Sequence, residues 1–245
     1  NVGLGFVRLS IIDLSISGHQ PMTDYANRYV IVFNGEIYNY IELREELIAQ
    51  GITFRSNSDT EVLLNMYIKY GKACLDKLNG MFAFVIYDKQ TKEVFAARDR
   101  FGVKPFYYYT DDNAFYFASE IPPILSVYNK KNTPNQNAIF DYLAYNRTDQ
   151  TEETFFQGIK KLQHGHYLRI EKNTLTFKRW YNVRDRISEN KYDAEEYKRL
   201  LIDAVKLRLR SDVPVGVCLS GGLDSSAISC IISEELGNKQ MHTFS

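Results

Sequence analysis

Apolar and polar residues alternate along the first 128 residues in short blocks that have either the period of a strand or that of a helix. Tyr29–Phe33 combines β-branched and aromatic residues, which is typical of a strand. Two helices are predicted after it: one begins at Asn39 and ends at Gly51, and the other begins at Ser58 and ends at Gly71. Five further strands are expected at Val2–Val7, Met81–Tyr87, Val94–Arg98, Pro105–Tyr109 and Phe115–Ala118.

The order of these elements favours a layered α+β domain. Met81–Tyr87 is apolar on both faces, so we expect it at the centre of a sheet. Helices that are followed by a run of strands are typical of sheets stacked against helices. A short helix at Ala138–Tyr145 and a hairpin of His166–Ile170 with Leu175–Tyr181 complete this part of the pattern.

The pattern changes near residues 181–191, where we place the boundary between a domain of residues 1–185 and the start of a second one, residues 186–245. Asp193 is expected to begin a helix. A buried strand at Val213–Leu219, a glycine-rich run at Ser220–Ser226 and a helix at Ala227–Leu236 follow. This order is that of a nucleotide site at the carboxyl end of a parallel strand. The first helix is expected to bury Tyr197, Leu200, Leu201, Ala204 and Leu207.

The composition of the 245 residues excludes several classes of protein. Basic and acidic side chains number 30 each, so we expect neither a nucleic-acid partner nor a membrane surface. The longest apolar run, Met81–Tyr87, is far shorter than the ~20 residues that span a bilayer. Three widely spaced cysteines form no disulfide framework, which favours the cytoplasm. Both ends of the sequence look cut, and we expect a piece of a longer protein.

Ser220–Ser226 is the sharpest chemical signal. Its two glycines let the backbone approach a phosphate and turn N–H groups toward it, and the helix that follows adds positive potential. Ser225 and Ser226 can donate hydroxyl hydrogen bonds, whereas Asp224 needs a Mg²⁺ ion between itself and a phosphate. The alternative interpretation is a turn in which Asp224 and Ser225 only cap the helix.

Asn34–Asn39 is the second signal, because an Asn-Gly pair and an acid follow a strand. The Asn34 amide and the Gly35 N–H together can stabilise an oxyanion, and Glu36 can hold an ammonium group. The alternative interpretation is an ordinary Asn-Gly turn between two strands.

The motifs resemble two known families. Ser220–Ser226 is similar to the Ser-Gly-Gly-x-Asp-Ser pyrophosphate loop of the ATP pyrophosphatases. A series of motifs in the first domain resembles the class II glutaminase domain of glutamine-hydrolysing asparagine synthetases. Those motifs are Arg8–Asp13, Asn34–Asn39, Ser58-Asp59, Leu78–Phe84, Arg98–Pro105 and Phe117–Glu120. The resemblance covers nearly the whole chain, and the pyrophosphate loop falls where that family has its synthetase domain.

The resemblance implies a fold and a reaction. The fold is an N-terminal-nucleophile-type glutaminase domain with two sheets between helices, followed by the start of a Rossmann-like α/β ATP-pyrophosphatase domain. The reaction is the ATP-dependent amidation of aspartate to asparagine through an acyl-adenylate, with glutamine as nitrogen donor and with release of AMP and pyrophosphate. Glutamine, aspartate and ATP are the implied small-molecule ligands, Mg²⁺ would accompany ATP, and a homodimer is left open.

The resemblance also implies roles for residues. Arg8 would bind the glutamine carboxylate, and Glu36 and Asp59 would hold its α-amino group. Asn34 and Gly35 would form the oxyanion hole. The remaining glutamine contacts would be Leu9, Ser10, Ile11 and Ile12. ATP would contact Leu219, Ser220, Gly221, Gly222, Leu223, Asp224, Ser225 and Ser226, with Asp224 also near Mg²⁺.

The sequence departs from the family at the nucleophile. The family uses an N-terminal cysteine whose thiol attacks the glutamine amide, and this sequence begins with Asn1. Cys74 lies inside a predicted short helix, while Cys218 and Cys230 flank the pyrophosphate loop and are expected in the core. None of the three fits the role, so we expect this piece to bind glutamine poorly and not to hydrolyse it. Arg98–Pro105 is interpreted as a structural turn whose charges pair locally.

Three alternatives stay open. One is a related amidotransferase that acts on another carboxylate, such as a sugar acid or a peptide. Another resembles the β-lactam synthetases, whose glutaminase-like domain lacks the cysteine and is structural. The last is a truncated, non-enzymatic nucleotide-binding module.

Overall fold

The structure is a computed structural model that describes residues 2–128, 133–187, 193–238 and 240–245. The expected domain boundary near residues 181–191 lies partly outside these ranges. The α-helices are α1 (Tyr40–Ala49), α2 (Asp59–Tyr70), α3 (Cys74–Lys77), α4 (Ile121–Val127), α5 (Gln136–Tyr145), α6 (Ala194–Arg208) and α7 (Leu223–Cys230). The strands are β1 (Met22–Thr23), β2 (Tyr29–Ile37), β3 (Gly80–Asp88), β4 (Val94–Arg98), β5 (Tyr107–Thr110), β6 (Phe115–Ala118), β7 (Lys160–Lys161), β8 (His166–Glu171), β9 (Thr174–Arg179), β10 (Gly216–Cys218) and β11 (His242–Phe244). None of the helices in these ranges is long and apolar enough to cross a bilayer.

Six strands form one antiparallel sheet in the order β1-β2-β3-β4-β8-β9. β3 pairs with β2 along its whole length, from Tyr29 opposite Asp88 to Ile37 opposite Gly80. Its middle residues are buried on both faces. The prediction that Met81–Tyr87 lies inside a sheet is therefore confirmed.

Three apolar clusters hold four layers together. Helices α1, α2 and α3 pack on one face of the large sheet around Phe82 and Leu63. A second sheet, in the order β6-β5-β7, covers the other face through a cluster that contains Val85 and Phe106. α4 packs on the outer side of that second sheet, where Ile124 is 1% exposed. The predicted layered fold, with two sheets between helices, is confirmed.

The caps of the first two helices agree with the sequence in position but only partly in their hydrogen bonds. Ser58 accepts a 3.1 Å hydrogen bond from the Thr60 N–H, as its capping role predicts. Asn39 also precedes its helix, yet its side chain bonds to the Lys77 carbonyl and the Asn79 N–H instead. The Asn39 side chain therefore links α1 to the segment just before β3, because the backbone of Lys77 and Asn79 supplies its hydrogen-bond partners in place of the helix N–H groups.

The expected strand at Val2–Val7 is absent. Leu4 and Phe6 contact the cluster between the two sheets through their side chains, while Val2 and Val7 are exposed. Two of its apolar side chains are thus packed, but no described strand pairs with this segment.

The second unit begins with α6 and contains one parallel pair of strands. β10 and β11 pair from Gly216 opposite His242 to Cys218 opposite Phe244, and α7 connects them. The expected order of a strand, a glycine-rich run and a helix is therefore present, and β11 adds a parallel strand after the helix.

Burial in this unit is lower than the sequence predicts. β10 is shorter than the expected Val213–Leu219 strand, and Cys218 and Cys230 are both exposed, so placing them in the core was wrong. Val205 is the buried residue of α6, whereas Leu200 is 51% exposed. The reason is that the described residues of this unit contain a sheet of only two strands, β10 and β11, which is too small to cover the apolar sides of α6 and α7.

The last helix begins earlier than predicted. α7 starts at Leu223 rather than at Ala227, because Gly222 already has the extended conformation of an N-cap residue. The second half of the Ser220–Ser226 run is therefore the first turn of the helix.

Candidate active site

A cavity of about 890 Å³ lies between the two sheets. Its wall combines β2, the segment at residues 5–12, the first turn of α2 and the connection from β6 to α4. All nine residues that the resemblance assigns to glutamine line it: Arg8, Leu9, Ser10, Ile11, Ile12, Asn34, Gly35, Glu36 and Asp59.

Asn34–Glu36 belongs to strand β2, so the interpretation of these residues as a turn was wrong. Gly35 lies opposite Phe82 in the β2–β3 ladder. A Cβ at Gly35 would collide with the Met81 carbonyl oxygen and would lie 2.8 Å from the Phe82 Cα. The missing side chain therefore lets two strands approach closely where an Asn-Gly pair elsewhere makes a turn.

The ladder also decides where the Gly35 N–H points. The Phe82 N–H donates to the Asp99 carboxylate at 3.1 Å, and the Phe82 carbonyl accepts from the Asp99 N–H at 2.8 Å. Both polar groups of an antiparallel residue face the same side, so Phe82 bonds away from Gly35. The Gly35 N–H consequently points out of the ladder, toward the opposite edge of β2.

On that edge, side chains occupy the positions on either side of Gly35. The Phe33 N–H donates to the Gln20 side-chain oxygen at 2.6 Å, and the Ile37 N–H donates to Asp59 at 2.9 Å. The Gly35 N–H lies between these two bonds and borders the cavity. It is therefore placed as a donor to a bound group.

The Asn34 and Glu36 side chains lie on the other face of β2 from Phe33, because side chains alternate along a strand. That face carries Val32, which packs in the cluster between the sheets. Asn34 and Glu36 therefore project into the space that contains the cavity. The Asn34 Nδ2 donates a 3.1 Å hydrogen bond to the Ser119 Oγ.

Glu36 and Asp59 make one end of the cavity acidic. Burial raises the pKa of Asp59 to about 7, and the charge of Glu36 adds to this rise. Burial also raises the pKa of Glu36, while the charge of Lys104 lowers it. An ammonium group bound between the two carboxylates would favour their ionised forms.

Arg8 holds the loop that follows it. Its guanidinium donates to the carbonyl oxygens of Ile12, Asp13 and Ser15, with a distance of 2.6 Å to Ser15. These hydrogen-bond partners are neutral carbonyls, and the charge of Arg8 is also one of the causes that lower the pKa of the Asp13 carboxyl group. The guanidinium borders the cavity, where it can also attract a ligand carboxylate.

Hydrogen bonds from the second unit also hold this loop, at residues 11–13. Asp212 accepts a 2.7 Å hydrogen bond from the Asp13 N–H, and its own N–H donates to the Ile11 carbonyl at 3.0 Å. Arg210 donates to the Tyr38 carbonyl at 2.7 Å, just after β2. Residues just after α6 therefore support two segments next to the cavity.

Several polar lining residues were not assigned a role from the sequence: Gln20, Ser58, Thr60, Lys104, Ser119 and Glu120. Ser58, Lys104, Ser119 and Glu120 lay inside motifs of the resemblance, which was the available signal. Arg98 and Asp99 do hold a structural turn, but they bond to backbone groups rather than to each other. Lys104, by contrast, lines the cavity, so the structural interpretation of Arg98–Pro105 was incomplete.

The three cysteines lie away from this cavity. Cys74 is buried in the helical layer, and burial raises the pKa of its thiol to about 12, which makes it a poor nucleophile. Cys218 and Cys230 belong to the second unit. None of them lines the cavity.

The predicted ATP residues form one connection from β10 into α7. Gly221 has a φ of +78°, and Gly222 caps α7 without a side-chain hydrogen bond. The Ser220 and Ser225 hydroxyls lie 3.1 Å apart. Free N–H groups at a helix start and two neighbouring hydroxyls fit a phosphate group. The eight residues are Leu219, Ser220, Gly221, Gly222, Leu223, Asp224, Ser225 and Ser226.

The donors for a metal ion are fewer. No group of three His, Cys, Asp or Glu side chains in the described residues could hold a metal ion. Asp224 is an exposed acid in the first turn of α7. It fits Mg²⁺ only as one ligand beside phosphate oxygens and water, the usual setting of that ion.

Two family profiles match this chain, each over a different range. The profile of a family described as "Glutamine amidotransferase domain" matches residues 1–181, and that of a family described as "Asparagine synthase" matches residues 196–245. A solved structure titled glutamine phosphoribosylpyrophosphate (PRPP) amidotransferase from B. subtilis, complexed with ADP and GMP, is 19% identical, with a TM-score of 0.48. That match covers 94% of this chain and 49% of the other.

Two relatives of Bacillus subtilis (strain 168) are similar over nearly all of the chain. Glutamine-hydrolyzing asparagine synthetase 3 is 40% identical, and the match covers 100% of this chain and 41% of that protein. Glutamine-hydrolyzing asparagine synthetase 1 is 41% identical, with 96% of this chain and 37% of that protein covered. The chain therefore spans less than half the length of these relatives.

Proposed function

Because the chain belongs to the glutamine amidotransferase domain family and continues into an asparagine synthase segment, we propose that it is part of an asparagine synthetase. Residues 1–185 would release ammonia from glutamine, and residues 186–245 would begin the unit that uses it. There, ATP activates the side-chain carboxylate of aspartate as an acyl-adenylate, with release of pyrophosphate. Ammonia then attacks the acyl carbon, and asparagine and AMP leave.

The observation that supports the glutaminase role most is the cavity with its opposite charges. Arg8 offers a positive charge for the glutamine carboxylate, and Glu36 and Asp59 offer negative charge for its α-amino group. Leu9–Ile12 line the same cavity. A zwitterionic amino acid matches this arrangement.

Asn34 and Gly35 would act during hydrolysis. Attack on the side-chain amide of glutamine places negative charge on its oxygen, and two N–H donors at fixed positions stabilise that charge. The Gly35 N–H leaves the ladder at the cavity wall, and the Asn34 amide projects into the same space.

None of the three cysteines fits the role of the nucleophile that attacks the glutamine amide. Cys74 is buried with a raised pKa, and Cys218 and Cys230 lie in the second unit. Hydrolysis therefore requires a nucleophile that these cysteines do not supply, and we expect the 245 residues alone to be inactive toward glutamine.

The proposed ATP site is the connection Leu219–Ser226. Its backbone N–H groups and the Ser220 and Ser225 hydroxyls would hold phosphate oxygens. Mg²⁺, when bound with ATP, would neutralise phosphate charge beside Asp224. We place the protein in the cytoplasm, since all three cysteines are free thiols, and leave its assembly to a measurement of mass in solution.

The experiment uses the full-length protein with ATP, Mg²⁺ and aspartate, and measures AMP and asparagine with either glutamine or ammonium. Product with both nitrogen sources is the expected result. Product with ammonium alone would mean that the glutaminase part is inactive, as in the alternative with a structural domain. The absence of aspartate-dependent AMP would overturn the assignment of aspartate and favour another carboxylate acceptor.

A further inference from the structure

The Asn34 amide can stabilise an oxyanion only if its Nδ2 donor stays at a fixed place beside the reacting carbonyl. The terminal side-chain torsion of asparagine is intrinsically soft, and rotation about it carries the donor away from that place. The side chain therefore needs a partner that holds it.

Ser119 is that partner in the structure. Its Oγ accepts a hydrogen bond from the Asn34 Nδ2 at 3.1 Å, so the nitrogen end is held toward Ser119. The bond uses one of the two hydrogens on Nδ2 and leaves the other for a group in the cavity, whose wall includes both residues.

The backbone around Ser119 is held on both sides. Ala118, directly before it, pairs with Tyr107 at the end of β6. Glu120, directly after it, is the N-cap residue of α4, which Ile124 anchors in the outer cluster. Asn34 is itself fixed opposite Ala83 in the large sheet. The hydrogen bond therefore joins the two sheets across the cavity, and Ser119 can hold the Asn34 side chain from a backbone that is itself held in place.

We propose that Ser119 is a positioning residue for glutamine hydrolysis, which acts by holding the Asn34 side chain in place in the oxyanion hole. This inference rests on the proposed function. It predicts an effect on the chemical step and little effect on the binding of glutamine, because Ser119 is uncharged and is not among the residues assigned to the amino and carboxylate groups.

The test compares Ser119→Ala and Ser119→Thr in the full-length protein, with Ser126→Ala as the matched control. Ser126 lies in α4, and its hydroxyl donates to the Pro123 carbonyl of the same helix at 2.7 Å. Removal of a whole oxyanion donor costs about 10²–10³ in kcat, so loss of the hydrogen bond that holds this donor should cost about tenfold. We expect S119A to lower kcat for glutamine hydrolysis by about that factor, with KM changed by less than about twofold.

Two further readouts separate positioning from a structural effect. S119T keeps the hydroxyl and should restore kcat to within about twofold of the wild type. Synthesis with ammonium should be unchanged in S119A, because it bypasses the glutamine site.

Three results would overturn the inference: an S119A variant with wild-type kcat, a loss that appears only in KM, or an S119T variant as slow as S119A. Wild-type protein that hydrolyses no glutamine would overturn the proposed function together with this role. Wild-type turnover with an equally fast S119A variant would overturn this role alone.

Discussion

Replacement of Asp59 by asparagine should stabilise the protein at neutral pH. Burial raises the pKa of this carboxyl group from 3.8 to about 7. Between these values the folded state keeps a proton that the unfolded state releases, so the free energy of unfolding falls as the pH rises from about 4 to about 7. At about 1.4 kcal/mol for each pKa unit, the loss amounts to about 4 kcal/mol above that range.

The asparagine side chain of the D59N variant would carry no charge at any pH, and its oxygen can still accept the bond from the Ile37 N–H. The difference in unfolding free energy between D59N and the wild type should therefore grow by roughly 2–3 kcal/mol from about pH 5 to about pH 8. Urea titrations followed by Trp180 fluorescence measure it. Trp180 is the one tryptophan of the chain and stacks on Phe82 with ring centres 6.1 Å apart, so it reports the unfolding of the large sheet.

Glu45→Gln is the matched control, because Glu45 lies exposed on α1. It should unfold with the same pH dependence as the wild type. A D59N difference that stays constant between the two pH values would refute the reasoning, since Asp59 would then ionise alike in the folded and unfolded states. The same variant should bind glutamine more weakly, because it removes one of the two charges proposed to hold the α-amino group.

Two further predictions concern Gly35 and the cysteines. Gly35→Ala should destabilise the protein by about 2 kcal/mol and abolish glutamine hydrolysis, because its Cβ would meet the Met81 carbonyl. The control Gly3→Ala has no atom within 4 Å of the new Cβ and should leave the urea midpoint unchanged. A G35A variant as mild as G3A would contradict the close approach of the two strands. Iodoacetamide followed by peptide mass spectrometry should label the exposed Cys218 and Cys230 but spare Cys74 until the protein unfolds, and early labelling of Cys74 would contradict its burial and raised pKa.

The parts of the fold that the sequence predicts well depend on neighbours along the chain. The bounds of β4 and β6 equal the predicted Val94–Arg98 and Phe115–Ala118, because a local run of β-branched and aromatic residues sets them. The side-chain cap at Asn39 was wrong for the opposite reason. Its amide bonds to Asn79, forty positions away, and no local pattern contains that contact.

The same distinction applies to the cavity. An Asn-Gly pair forms a turn or stays extended depending on the strand opposite it, and the sequence does not show that strand. The prediction therefore placed Asn34–Glu36 in a turn, whereas these residues pair with β3. The motif order identified the charged groups, but Lys104 and Ser119 reach the cavity only because the second sheet packs on the first. Those placements follow from tertiary packing and not from residue type.

The two hydrogen bonds between Asp212 and residues 11–13 make the proposed glutamine pocket less independent of the second unit than the order of its motifs suggests. Family profiles divide the chain after residue 181, yet part of the scaffold for the pocket is encoded thirty residues later, together with Arg210. Recombination at the profile boundary would exchange that scaffold along with the second unit. A chimera would therefore keep all of the proposed glutamine-binding residues but lose the hydrogen bonds that hold their loop, unless the incoming segment supplied equivalents of Arg210 and Asp212.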